Sequence, residues 1–249
     1  MARYDFRTPR LYVDAALQQS APIEANKGQA NYLLNVLRLG NSAKVLLFNG
    51  MDGEWAAEIE VEGRKNCRLV PISQTRSQPP ASELIYCFAP LKHARLDYLV
   101  QKVVEMGAGV LQPVITQHTQ NSRVNLERME ANAIEAAEQC GILSVPQIQE
   151  PIKIETLLDQ WPKDTSLVFC DEAAATADTC DKLKAICDQQ LAVLIGPEGG
   201  FSENERQMLL SKSFVTTISL GPRILRADTA AVAALAVVQM IAGDWNKQD

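Results

Sequence analysis

The chain has 249 residues, enough for one large domain or two of ordinary size. Its composition, 47% hydrophobic and 22% charged, is too apolar for wholesale disorder, and the longest apolar stretch, Ala230 to Ala242, is too short for a bilayer and broken by Gln239. A net charge of −6 argues against nucleic acid, but residues 1–76 hold ten Lys/Arg against eight Asp/Glu while 77–249 hold fourteen against twenty-two, so a grip on phosphate falls to the first part or to a local patch.

In chain order the first signals are mostly β. A helix is expected around Gly28 to Leu37, then a short apolar run from Ala43 to Phe48 and the turn chemistry of Asn49-Gly50-Met51-Asp52-Gly53. Trp55, Ala57, Ile59 and Val61 alternate with Glu54, Glu58, Glu60 and Glu62, the period-2 pattern of a half-buried strand, and Cys67 to Ile72 can pair next. This predicts a small β-barrel or sandwich. The one clear linker is residues 74–82, polar and carrying Pro79-Pro80, which divides the chain into domains at 1–76 and 77–249.

After the linker, β and α signals alternate. Strands are expected at Leu84–Ala89, Val110–Ile115, Leu167–Cys170, Leu191–Ile195 and Thr217–Leu220, with helices near 95–106, 126–140, 178–189, 203–212 and 228–242. Short apolar strands spaced by amphipathic helices imply an α/β domain with a parallel sheet, whose ligands sit beyond the carboxyl ends of the strands.

The N-terminus, Met1 to Asp5, lacks the apolar core of a signal peptide, so a soluble, cytoplasmic protein is expected. Cys67, Cys87, Cys140, Cys170, Cys180 and Cys187 are scattered without a C-x-x-C pair; buried thiols are the expectation, with no metal and no disulfide framework.

Three segments carry candidate chemistry. Leu91 to Gly107 crowds Lys92, His93 and Arg95 at the entry to a helix; Lys92 and Arg95 suit phosphate or plain solvation, and Lys102 and Glu105 can pair on the helix surface. Leu194-Ile195-Gly196-Pro197-Glu198-Gly199-Gly200-Phe201-Ser202 runs an apolar strand into a Gly/Pro loop that can approach a flat ligand, with Ser202 placed to cap a helix. It meets neither the dinucleotide nor the P-loop fingerprint, and Glu203 and Glu205 would repel phosphate; a plain strand-to-helix turn is the other reading. In Ile218 to Ala231 a second strand ends in Gly221-Pro222, and Ile224 and Leu225 lie between Arg223 and Arg226. Asp228 or Thr229 then caps a final helix that is apolar on nearly all faces. Structural salt bridges are the alternative role for those arginines.

Together these residues amount to a resemblance. Gly-Pro-Glu-Gly-Gly-Phe-Ser at 196–202, and Leu-Gly-Pro-Arg-Ile-Leu-Arg at 220–226 followed by Asp-Thr-Ala, resemble the two C-terminal signatures of the RsmE-type 16S ribosomal RNA (uracil-N3) methyltransferases of the SPOUT superfamily. Asn35-Val36-Leu37-Arg38-Leu39, Leu47-Phe48-Asn49-Gly50, Gln101-Lys102 with Glu105, and Ala136-Ala137-Glu138-Gln139 are similar to that family in the same order, so the likeness covers essentially the whole chain. Departures are Asn31 where the family often has His, Asp228 for the usual Glu, Ile142 for a common Arg, and Gln117-His118-Thr119 for an arginine-bearing stretch.

The resemblance implies a PUA-like RNA-binding β-barrel at 1–76 and a SPOUT domain at 77–249 with a deep trefoil knot. It also implies a homodimer and S-adenosylmethionine as cofactor. On matching positions the cofactor would meet Leu194, Ile195, Gly196, Pro197, Glu198, Gly199, Gly200, Leu220, Gly221, Ile224 and Leu225. Arg226 would face the reacting centre, with Glu198 or Asp228 as the base that removes the N3 proton. RNA contacts are expected at Arg7, Arg10 and Arg38, of a barrel set that also includes Arg3, Arg64, Lys65 and Arg68, and at Lys92 and Arg95 beyond the barrel. The activity expected is methylation of N3 of a uridine in 16S ribosomal RNA within the small ribosomal subunit. Alternatives are a SPOUT methyltransferase acting on another RNA nucleotide, a catalytically silent RNA-binding ribosome-assembly protein, or a nucleotide-dependent oxidoreductase.

Overall fold

The computed structural model describes residues 5, 7–63, 65–174 and 178–246, with the backbone only at His93 and Asn246. Arg3 and Arg64 therefore lie outside the described residues. The chain forms two compact units, Met1–Ala81 with Ala137–Val145, and Ser82–Ala136 with Pro146–Asp249.

In the first unit β1 (Arg10–Tyr12), β2 (Ile23–Glu24), β3 (Lys44–Phe48), β4 (Glu54–Glu62) and β5 (Asn66–Arg76) form one sheet in the order β1-β3-β4-β5-β2. Only the β1–β3 pair is parallel. The expected helix divides in two: α1 (Lys27–Asn31), started by a capping box between Asn26 and Gln29, runs into a π-helical turn at Tyr32–Val36. In the β3–β4 turn the Asn49 side chain accepts from the N–H groups of Met51 and Asp52. Gly53 follows at φ 75°, where a Cβ would stand 2.3 Å from the Arg76 carbonyl oxygen, so no other residue fits between the two strands there.

Along β4 the alternation is as expected over most of its length, with Ala57 and Ile59 fully buried in a core shared with Leu33, Val45, Leu47 and Leu69. Glu54 departs from it. A register irregularity between Glu54 and Trp55 turns this carboxylate inward, where it is 4% exposed. The expected linker also begins later. Gln74 to Arg76 complete β5, because Thr75 and Arg76 bond to Glu54 and hold the strand end to its neighbour.

In the second unit β6 (Ile85–Phe88), β7 (Val110–Ile115), β8 (Gln147–Ile148), β10 (Thr165–Cys170), β11 (Gln190–Ile195) and β12 (Val215–Ile218) lie in the order β12-β10-β11-β6-β7-β8, and β9 (Ile152–Lys153) pairs with β7. Every pairing is parallel. The helices are α2 (His93–Glu105), α3 (Leu126–Cys140), α4 (Ile154–Asp159), α5 (Thr179–Lys184), α6 (Glu203–Leu210) and α7 (Ala227–Ile241). One face of the sheet packs Cys87, Val114, Leu167, Phe169, Ala192 and Leu194 against Ile154 and Leu158 of α4 and Leu209 of α6. On α2, Lys102 and Glu105 pair at 2.6 Å. β12 ends two residues earlier than expected, and α5 stops at Lys184 where the chain turns back toward β11.

Candidate functional site

The sheet's order brings the carboxyl ends of β11, β10 and β12 side by side, and a cavity of about 420 Å³ opens there. Its floor is the loop after β11. Gly196 leaves the strand where a Cβ would stand 2.6 Å from the Phe201 ring, so only glycine allows that ring to fold beneath the loop. Gly200 turns at φ 70°, and Ser202 then caps α6 through a capping box with Glu205. Glu205 is buried, and its second oxygen accepts the Gln117 N–H at 2.7 Å. Next to it His118 Nδ1 lies 2.9 Å from the Gly200 carbonyl oxygen, so the loop after β7 is tied both to the glycine loop and to the first turn of α6. A Cβ at Gly199 would stand 3.4 Å from the His118 side chain.

The segment after β12 forms the opposite wall with Leu220, Gly221, Ile224 and Leu225. Ten of the eleven expected cofactor positions line the cavity. Leu194 does not; it points into the core and is fully buried. The third wall was not read from the sequence: Phe169, Cys170, Asp171 and Glu172 at the end of β10, with Arg206 of α6. A strand ending in Asp-Glu at the carboxyl edge of a parallel sheet was the available signal. Burial pushes the Cys170 thiol up to about 12, which keeps it protonated and unreactive.

The expected caps of α7 are corrected. The helix starts at Ala227 with Arg226 as the preceding residue, and Asp228 sits inside the first turn. Its carboxylate accepts from Arg95 Nε at 3.1 Å, and Arg95 also pairs with Glu198. That hydrogen bond, aided by the Thr229 N–H and opposed by partial burial, holds the Asp228 carboxyl below its ordinary value. Arg95, expected to meet RNA, ties α2 to the glycine loop and to α7 while staying partly exposed. Glu198 lines the cavity and Asp228 does not. Arg223 and Arg226 are exposed at its rim with no ion pair among the described residues.

Arg10 is likewise corrected as an RNA contact. It is 6% exposed and donates to Glu54 at 2.7 Å and to the backbone carbonyls of Glu138 and Asp5, so phosphate has no access to it. Arg76 completes the cluster, donating to Glu54 at 2.6 Å and to the Gly141 carbonyl. Burial pushes the Glu54 carboxyl up, but hydrogen bonds from Arg76, Arg10 and Thr75 outweigh it and hold it below the usual range. Arg7, Arg38 and Lys92 are exposed, Arg38 on left-handed backbone at φ 54°.

Residues 77–239 match the family model of an RNA methyltransferase domain, and residues 26–72 that of an RNA methyltransferase PUA domain. The ribosomal RNA small subunit methyltransferase E of Rickettsia conorii is 31% identical over 93% of this chain and 95% of its own length. Its counterpart in Buchnera aphidicola subsp. Schizaphis graminum is 28% identical over 96% and 98%. Among solved structures, the ribosomal RNA small subunit methyltransferase E of Neisseria gonorrhoeae bound to S-adenosylmethionine superposes with a TM-score of 0.83 at 26% identity, covering 96% of this chain and all of that one. A methyltransferase of Legionella pneumophila with the same cofactor bound gives 0.80 at 27%, covering 94% and 97%.

Proposed function

The chain belongs to the family of the ribosomal RNA small subunit methyltransferases E, and from that premise we propose that it methylates N3 of a uridine in 16S ribosomal RNA with S-adenosylmethionine as donor. The observation that carries the reading is the cavity at the carboxyl ends of β10, β11 and β12, walled by both glycine-containing loops. Its volume lies in the range of small-molecule sites. The apolar wall of Phe169, Leu220, Ile224 and Leu225 suits adenine, and the close-packed glycines suit backbone recognition of a flat base.

When bound, the cofactor supplies a methyl group on a sulfonium. The chain's own residues orient the uracil, exclude water and manage one proton. Arg226, exposed at the rim and without an ion-pair partner among the described residues, is placed to stabilise negative charge on the uracil oxygens as the imide proton leaves. Between the two candidate bases the geometry favours Glu198, which lines the cavity, over Asp228, which does not. No covalent thiolate is required, in keeping with the protonated Cys170.

The sheet of the first unit and its family match support its assignment as a PUA-like barrel that holds RNA through Arg7, Arg38 and neighbouring cations. We extend the reading to a knotted SPOUT domain, a cytoplasmic enzyme and a homodimer. The large side chains of Tyr98 on α2, Met240 on α7 and Trp245, 46%, 60% and 48% exposed, support a second copy covering this region. Mapping modified nucleotides in small-subunit ribosomal RNA from cells lacking the gene tests the function: one 3-methyluridine should disappear, and an unchanged pattern would contradict it.

A further inference from the structure

Six charged side chains line the cavity: Asp171, Glu172, Glu198, Arg206, Arg223 and Arg226. Three are already engaged. Buried Asp171 accepts from Arg206 at 2.9 and 3.0 Å and from the Ala173 N–H, and Glu198 pairs with Arg95. Among the described residues Arg223, Arg226 and Glu172 have no ion pair, and Glu172 is the one lining carboxylate with no hydrogen bond. The pairing of Asp171 fixes the chain from which Glu172 projects, as does the Asp171 N–H bond to the Ile218 carbonyl at 3.0 Å. One Glu172 oxygen lies 3.5 Å from where a Cβ on Gly200 would stand, an ordinary contact distance, so the carboxylate sits beside the glycine loop.

We propose that Glu172 is a cofactor-binding residue: its carboxylate accepts hydrogen bonds from the donor groups of S-adenosylmethionine, the ribose hydroxyl pair or the α-ammonium. This rests on the reading of the cavity as the cofactor site. An ionised carboxylate has acceptors and no donor, and those two groups are the cofactor's donors of matching geometry outside the adenine ring. Charge balance points the same way. The cofactor carries a sulfonium and an ammonium against one carboxylate, and a cavity whose open charges were two arginines would repel it; Glu172 offsets that repulsion.

Isothermal calorimetry on the full-length protein tests the assignment with two probes, S-adenosylmethionine and 5′-methylthioadenosine, which keeps the ribose hydroxyls and lacks the ammonium. Glu172→Ala should weaken S-adenosylmethionine binding about 10- to 100-fold, the range of a lost charge-assisted hydrogen bond, and Glu172→Gln by less. If the ribose is the ligand, methylthioadenosine weakens by the same factor; if the ammonium is, its affinity does not move. Circular dichroism checks that both variants are folded. Unchanged affinity of both variants for both probes would overturn the assignment and leave the cavity reading standing. A wild-type protein that binds neither probe would overturn both.

Discussion

Two arginine–carboxylate clusters, one in each unit, use the same groups to opposite ends. In the first unit two arginines, Arg10 and Arg76, converge on one carboxylate, Glu54, with side-chain exposures of 3%, 21% and 5%. In the second, one arginine, Arg95, is shared by two carboxylates, Glu198 and Asp228, at 32%, 39% and 19%. The first cluster is centred on a buried pair, Arg10 and Glu54, so its members are worth most when all are present and cost most when one is lost. The second stays in reach of water, where screening keeps each pair weak. Its value is in placement: it holds the flank of the cavity while Arg223 and Arg226 remain open to a ligand. An arginine in sequence carries no mark of which kind it is.

The sharpest way to break the comparison is Glu54→Gln. One buried guanidinium, Arg10, and one partly buried one, Arg76, would lose their counter-charge, and the unfolding free energy should fall by about 3–5 kcal/mol in denaturant titration, with cofactor affinity unaltered. The pH dependence has a fixed sign. Because the Glu54 carboxyl is held low, its stabilising contribution is complete above the ordinary glutamate value and is lost as pH falls through the lowered one. The acid limb of the stability curve should therefore be flatter in Glu54→Gln than in the wild type.

Next in size is Arg226→Ala, which should raise the barrier to methyl transfer by about 2–4 kcal/mol while RNA and cofactor still bind; single-turnover kinetics read this directly. Arg95→Ala should cost stability by about 1 kcal/mol at most. Its clearer mark is on Asp228, whose titration, followed by NMR, should move up toward the ordinary aspartate value once the Arg95 hydrogen bond is gone. Smallest of all, Arg7→Glu should weaken RNA binding and reduce the salt slope by about 0.7 for a single-stranded contact. Arg10→Ala should instead lower stability.

Strands β6, β7, β10 and β11 are legible because each is an apolar run bounded by polar turns, and Val110–Ile115 keeps its expected bounds to the residue. Helix α3 was read as closely, its amphipathic stripe running through Met129, Ala133, Ala136 and Ala137. Two-residue β8 and β9 and the six-residue α4 are too short to show a period, and nothing in the sequence marked them. At the site the two glycine loops stood out because glycine and proline punctuate the chain. The Phe169–Glu172 wall did not, because it becomes part of the cavity through sheet order: β10 lies between β11 and β12, although β11 and β12 follow it in the chain. The fates of Arg10 and Arg95 were hidden for the same reason, since Glu54 is 44 residues from Arg10 and Asp228 is 133 from Arg95.

The most direct test of the central claim is to incubate the purified protein with 16S ribosomal RNA or small subunits and methyl-labelled S-adenosylmethionine, then digest the RNA to nucleosides and resolve them by mass spectrometry. The account predicts that the label enters 3-methyluridine and that Arg226→Ala strongly reduces its rate of appearance. Label in any other nucleoside, or none in RNA from a protein that binds the cofactor, would contradict it.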